Sequence, residues 1–377
     1  INIFMANIND YLSVAGAQKI SKKAPFSEAD QLILARISYL PFHKIKLGLF
    51  ETIASVADKM HSLPASAFGW PDDRKLIELL GQSRRFNKMR ISNFVCHNDE
   101  ALEKQFSAVT IHLNLQRAYL SFYGTDSSLT GWKEDFNLAF LDNIPAQIEA
   151  LEYLKKVSLK FFWKKLYLGG HSKGGHVSIF AAIHAADHVQ KRIQAVYNYD
   201  GPGIRKDLVE QDLGSFKILD RINTFVPQES IIGRLFEHRE GLIIVHSTAK
   251  NVYQHDIYSW QIEGNKLVRS KTTKRSNMIN RAINQWMQNA SRQEIKIFIN
   301  GMFEIFSSVE LNNPIELMRE WKHFGPKILK EFINTPKEKK KAISDIWLKL
   351  GESLIHSQIE QSEILAKFNK TFKVRGK

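Results

Sequence analysis

The chain has 377 residues, 44% of them hydrophobic and 24% charged, with 20 glycines and 10 prolines. That is a globular composition, and it excludes a chain that is disordered throughout. The longest apolar stretches, residues 32–40 and 177–186, are far shorter than the roughly 18–20 residues that span a bilayer, so no membrane span is expected. The formal charge of +14 is unevenly spread: up to Glu263 there are 31 basic against 28 acidic residues, and from Gly264 onward 22 against 11.

Ile1 to Phe4 precede the first methionine, Met5, and are read as an expression remnant. No basic stretch followed by an apolar run and a cleavage site is readable after it, so no secretory signal peptide is expected. A single cysteine, Cys96, makes no intrachain disulfide and fits a reducing compartment. The expected location is the cytoplasm, with membrane association through the basic tail as an added expectation. Runs such as residues 337–341 are more often solvated surface, and nucleic acid is not the expected partner.

In chain order, residues 9–88 read as mostly helical. Ser27 is placed to cap a helix that carries Glu28 and Asp30 in its first turn and Ile33, Ile37 and Leu40 on one face. Residues 107–113 and 117–123 read as strands, and Asn114-Leu115-Gln116 between them as a hairpin turn. Residues 132–156 are then largely helical. A strand over 165–168 precedes an Ala-rich helix after Gly175, and further strands are expected at 194–199, 221–226 and 242–247. A hairpin at Gly264-Asn265 follows. Beyond it, apolar stripes at Met278, Ile279, Ala282, Ile283 and Trp286, and again at Ile343, Ile346, Trp347 and Leu350, predict helices. Alternating strands and helices predict a mostly parallel sheet covered on both faces. The expected division is a helical segment over 5–105, an α/β core over 106–263 and a basic helical extension over 264–377.

Gly170-His171-Ser172-Lys173-Gly174 carries the clearest chemistry. A G-x-S-x-G between an apolar strand and an apolar helix is the context of a nucleophile elbow, with glycines where a Cβ would crowd the turn. This makes the core α/β-hydrolase-like and Ser172 the candidate nucleophile. The backbone N–H groups of Lys173 and Thr125, the latter after the strand ending in Gly124, are the candidate oxyanion donors. In this fold the base follows the nucleophile in chain order, which excludes His43, His61, His97 and His112. His255, in a loop after a strand, is the candidate, with His246 inside that strand as its rival. Two acids compete to orient it: Asp200 after the first strand beyond the elbow, and Glu229 after the next. Asp200 is favoured, because the Gly-Pro-Gly that follows lets the chain turn sharply. There is no H-E-x-x-H, cysteine cluster or phosphate loop, and His171 and His176 stand five residues apart, poorly spaced for one metal on a helix. Neither a metal nor a cofactor is expected.

Residues 119–135, with Gly124-Thr125 and Trp132-Lys133-Glu134-Asp135, resemble the oxyanion-loop segment of class 3 lipases, and Gly170 to Gly174 resemble their elbow. A closer resemblance is to a bacterial lipase-like family of α/β-hydrolases, formerly a domain of unknown function, over residues 5–265. It is carried by Pro25-Phe26, Asp30, Ser38-Tyr39-Leu40, the elbow, residues 197–203, and Gln254-His255-Asp256 with Ser259-Trp260. The resemblance implies a lipid ester as substrate; Glu229 is the acid that aligns with class 3 lipases, whose catalytic histidine usually lies later than His255. The expectation is therefore a serine ester hydrolase of the lipase, esterase or phospholipase kind, acting on a lipid or small ester. The alternative from another class is a non-catalytic module that binds an anionic partner through its basic C-terminal helices.

Overall fold

The computed structural model describes residues 4–5, 7–99, 101–125, 129–211, 213–309, 321–336, 340–341 and 343–344. They divide into two compact units. One takes the described residues up to Asp135 and those of Asp142–Lys271; the other takes Phe136–Leu141 and those from Thr272 onward.

The first unit opens with β1 (Phe4–Met5), α1 (Ile8–Ala15) and α2 (Glu28–Ile37). Ser27 caps α2 as the sequence predicts: its Oγ accepts from the Asp30 amide while the Asp30 carboxylate accepts from the Ser27 amide at 2.7 Å. Every residue of α2 from Ala29 to Ile37 is buried, so this helix shows no polar face. Its charges are paired instead, Asp30 with Arg85 and Arg36 with Asp73. Next come β2 (Glu51–Thr52), α3 (Ile53–His61) and α4 (Pro71–Gln82), the last opened by a proline whose missing N–H costs nothing there.

A meander of β3 (Arg90–Asp99), β4 (Lys104–His112) and β5 (Arg117–Phe122) follows. The strand at Arg90–Asp99 is absent from the sequence reading. It bulges between Ser92 and Val95, with Asn93 at φ 51°, which breaks the alternation that would have announced it. The segment expected to be one helical stretch resolves into α5 (Leu129–Asn137) and α6 (Pro145–Lys160). Then β6 (Lys165–His171), α7 (Lys173–His184), α8 (Asp187–Gln190), β7 (Ile193–Tyr199), α9 (Lys206–Gln211), β8 (Ile222–Pro227) and β9 (Leu242–Val245) complete the core. The eight strands β2 to β9 lie in sequence order, and β5 to β9 are mutually parallel. Helix α2 covers one face of the parallel strands; α6 and α7 cover the other. This is a mostly parallel sheet flanked by helices, an α/β-hydrolase-like fold. The expected hairpin at Gly264 is present as β10 (Ile262–Glu263) and β11 (Lys266–Leu267), with Gly264 at φ +62°.

The second unit contains α10 (Lys274–Asn289), α11 (Arg292–Ser308) and α12 (Trp321–Asn334). Ala282 and Trp286 of the first C-terminal stripe are buried, as is Ile343 of the second. Ile346, Trp347 and Leu350 lie outside the described residues, as do Lys337 and Lys339 of the lysine run. No helix among the described residues is long and apolar enough to cross a membrane.

Candidate active site

Strand β6 runs into Ser172, which turns the chain into α7 with φ 58° and ψ −132°. A non-glycine residue held there stores strain of about 1–3 kcal/mol. The turn is fixed by a hydrogen bond from the Ser172 amide to Tyr199 O at 2.9 Å and by close backbone approach. A Cβ built on Gly170 would sit 2.5 Å from Gly174 C, and one on Gly174 would sit 2.2 Å from Phe122 O, so the sharp turn requires both glycines. The Lys173 amide lies in the first turn of α7, where an N–H has no intrahelical acceptor. Gly124 lies against the elbow, where a Cβ built on it would sit 2.5 Å from His171 O and 3.2 Å from Ser172 Cβ, which brings the Gly124-Thr125 turn beside the serine.

At the end of the neighbouring strand β7, Asp200 is also held at positive φ, 55°. Its amide donates to Phe225 O at 2.8 Å, and Asn198 clamps the following turn by accepting from the Gly201 amide and donating to Gly201 O, each at 2.9 Å. Ser230 donates to Asp200 Oδ1, and the other oxygen, Oδ2, lies 2.6 Å from His255 Nδ1. A carboxylate only accepts, so Nδ1 carries the proton of this bond. The Asp200 side chain is 2% exposed and that of His255 22%, so the pair is sheltered on the acid side and open on the imidazole side.

Of the two acids weighed from the sequence, Asp200 meets His255. Glu229 accepts from the Asn251 amide at 2.9 Å and from Gln254 Nε2 at 3.2 Å, tying down the loop that carries the histidine. His246 is held in a backbone ladder with Val268 and Gln261, and its buried Nδ1 has no partner among the described residues. Thr125 is beside the elbow, with its hydroxyl donating to Asp135.

Three further groups escaped the sequence reading. His171 is buried, and its Nε2–H donates to the His255 carbonyl at 2.7 Å while its Nδ1 accepts from Tyr39 OH at 3.1 Å. The two imidazole centroids are 4.5 Å apart. Burial, with His255 and Arg36 nearby, holds the His171 pKa well below the usual imidazole range, so the ring is a neutral strut that fixes the backbone of His255. Tyr39 is itself held by the Arg36 guanidinium, 4.1 Å from its ring centre.

The second group is the side chain of Lys173. It is 1% exposed, and its Nζ lies 2.6 Å from Glu134 Oε2 and 3.0 Å from Gln105 O. Glu134 also accepts from the amides of Gln105 and Ala146, both at 3.0 Å. The third is Asp135, whose carboxyl lies 4.0 Å from Lys173 Nζ. Burial pushes its pKa up to about 6, against the opposing pull of Lys173 and the Thr125 hydroxyl. A signal for the lysine pair existed in Trp132-Lys133-Glu134-Asp135, but its partner is 39 residues away.

The Mbeg1-like family model matches residues 80–304, more than half of the chain. The chain belongs to the Mbeg1-like family. Among solved structures, this Mbeg1-like chain is similar to the Lip2 lipase of Yarrowia lipolytica, with 13% identity over 48% of this chain and 76% of that one at a TM-score of 0.32. It is similar to a fungal lipase in an inhibitor complex, with 12% identity over 66% and 92% of the two chains at 0.35. It is also similar to the M37 lipase, with 13% identity over 56% and 71% at 0.32. No curated protein matches it.

No cluster of three or more metal-ligating side chains occurs among the described residues. His176 Nδ1 lies 3.0 Å from Gly203 O and its Nε2 2.8 Å from Gln147 Nε2, so both ring nitrogens are engaged; burial lowers its pKa to about 4. A cavity of about 260 Å³ opens beside Tyr39 and Tyr123, with Leu40, Phe68, Trp70 and Phe94 among its walls. Tyr39 thus touches both the cavity and the elbow.

Proposed function

We propose that this protein is a serine hydrolase that cleaves carboxylic esters through an acyl-enzyme. The observation that carries the reading is the 2.6 Å contact between Asp200 Oδ2 and His255 Nδ1, on the strand next to a serine held in a strained strand-to-helix turn. With Nδ1 protonated and held by Asp200, His255 Nε2 is the basic nitrogen. It takes the proton of Ser172 as Oγ bonds to the ester carbonyl carbon, and the carbonyl electron pair moves onto oxygen. The backbone N–H groups of Lys173 and Thr125 stabilise that oxyanion. His255 then protonates the departing alkoxide, and water, activated by the same imidazole, releases the acid and restores Ser172.

The apolar and aromatic walls of the 260 Å³ cavity favour an ester with an apolar acyl or alcohol part, in keeping with a lipase-like or esterase-like substrate. The single cysteine favours a cytoplasmic setting. The basic segment after Gly264 adds peripheral affinity for anionic membrane in this reading.

The test is turnover of p-nitrophenyl esters of rising chain length by Ser172→Ala. A loss of about 10⁴-fold or more in kcat with an unchanged unfolding midpoint is expected. Turnover like that of the wild type would overturn the proposal.

A further inference from the structure

Ser172 and Asp200 follow the C-terminal ends of β6 and β7, and the other end of the parallel strands has a different character. There Leu49, Phe50, Leu115, Leu159, Phe162 and Trp163 are between 41% and 86% exposed. They belong to one surface. Trp163 Nε1 donates to Leu115 O at 3.0 Å, the rings of Phe162 and Trp163 are 5.2 Å apart, and buried Phe161 bridges Phe50 and Trp163 at 6.1 and 5.9 Å. Leu159 is in the last turn of α6, and Leu49 adjoins Phe50 in the chain. From Lys165 at this end to His171 at the other, β6 spans roughly 20 Å.

The surface is also basic. Residues 155–165 contain five lysines and no acid. Lys160 Nζ stands 5.8 Å from the Phe50 ring centre and donates to Asn93 Oδ1, while Lys164 Nζ donates to Asn114 O. Arg90 donates to Phe50 O, and Arg117 pairs with Lys165 across β5 and β6. Among the described residues Lys156, Lys160, Lys164, Lys165, Arg90 and Arg117 form no ion pair; Lys155 alone of the run has one, with Glu152 at 3.6 Å. The field reaches the interior: His112, beneath Phe50 and Phe161, has its pKa lowered to about 4 by burial and then by Lys164, Lys160 and Arg90.

Exposed apolar groups rimmed by one sign of charge mark an interaction surface. A protein partner is disfavoured, because lysine is depleted from such interfaces. A single-stranded nucleic acid is disfavoured as well, since Phe161, Phe162 and Trp163 meet edge to face at 83° and 85° and offer no parallel stacking platform. Phenylalanine, tryptophan and leucine at the centre with ammonium groups around them is the composition that enters a lipid headgroup layer.

We propose that this end of the sheet docks on the anionic surface of a lipid bilayer, with Phe50, Phe162 and Trp163 in the headgroup layer and the exposed Lys155, Lys156, Lys160 and Lys165 over the acidic headgroups. Docked so, the elbow stands at the far end of the strands, and an ester reaches Ser172 from the aqueous side. The surface then anchors the protein without covering the site. This inference does not depend on the hydrolase reading.

The experiment is cosedimentation of the full chain with phosphatidylcholine vesicles that contain or lack phosphatidylserine, at low and high salt. Three proteins are compared: wild type, Phe162→Ser/Trp163→Ser, and Lys340→Glu/Lys341→Glu from the basic tail. Thermal unfolding checks that the exposed substitutions leave the fold intact. Wild type is expected to bind only the phosphatidylserine vesicles, with affinity falling as salt screens the lysines. The aromatic double variant is expected to lose affinity roughly tenfold or more, and the tail variant to keep most of it. Aromatic-variant binding equal to that of the wild type would overturn the proposal. So would loss confined to the tail variant, tighter binding to single-stranded DNA, or a wild-type dimer that the aromatic variant dissolves.

Discussion

The two ends of the parallel strands hold their charges in opposite ways. At the C-terminal end Lys173 is buried against Glu134 and Gln105, Asp200 is gripped by Ser230 and His255, and even the neutral His171 is bonded through both ring nitrogens. At the N-terminal end the exposed Lys160 reaches only the neutral Asn93 oxygen and aromatic faces. Desolvation explains the contrast: a charge taken out of water needs a fixed counter-charge and hydrogen bonds, whereas a charge left in water needs neither. The buried end is therefore built for fixed geometry, and the exposed end keeps its charges available to a partner.

The first way to break this comparison is to remove the geometry without removing bulk. Asp200→Asn is expected to lower kcat/KM for a small ester by about 10⁴-fold, because an amide no longer holds the Nδ1–H tautomer of His255. Glu229→Gln, which loosens only the loop at Asn251 and Gln254, is expected to cost less than about tenfold, under about 1.4 kcal/mol. Steady-state kinetics of the two variants on one substrate checks the order. The reverse order would move the acid role to Glu229.

A second test separates the Lys173 side chain from its backbone. Lys173→Met leaves the Glu134 charge buried and unpaired and is expected to destabilise the fold by about 3–5 kcal/mol. Adding Glu134→Gln removes that charge but leaves one acceptor oxygen for two amides, those of Gln105 and Ala146, and should recover about half of the loss. Urea unfolding of the single and double variants measures it. The folded single variant should still turn over ester, since the oxyanion N–H is retained.

The buried rings also set an acid limit. His112 and His176 have their pKa lowered to about 4 and His171 well below the usual range, by burial first in each case. Below pH 6.5 the unfolded chain binds protons that the folded chain refuses. Stability is therefore fully present above pH 6.5 and is lost as pH falls toward 4, by about 2 kcal/mol for each well-buried ring. Asp135 works the other way, and more weakly, because its side chain is 23% exposed. With its carboxyl raised to about 6, the fold gives up stability as pH rises from about 4 to 6, and Asp135→Asn should remove about 1 kcal/mol of that loss. Urea midpoints between pH 5 and pH 7 for wild type and Asp135→Asn measure both signs.

What was legible in the sequence follows from range. The strands β5 to β9 and the capped helix α2 were readable because each is specified by its own residues. The elbow was readable because its glycines, serine and flanking apolar runs are contiguous. The strand at Arg90–Asp99 was hidden by its bulge at Asn93. His171 read only as a poorly spaced metal-ligand candidate because its partner is the carbonyl of a residue 84 positions on, and Tyr39 reaches it across 132 positions. Which carboxylate meets His255 also needed the fold: Asp200 and Glu229 both follow strands, and the positive φ of Asp200 and the grip of Ser230 turn its carboxylate toward His255.

The most direct test of the central claim is labelling with a fluorophosphonate, read by intact-protein and peptide mass spectrometry. The account predicts a single adduct on the peptide containing Ser172, absent in Ser172→Ala and formed far more slowly in His255→Ala. An adduct on a different serine, or labelling that persists unchanged in Ser172→Ala, would contradict it.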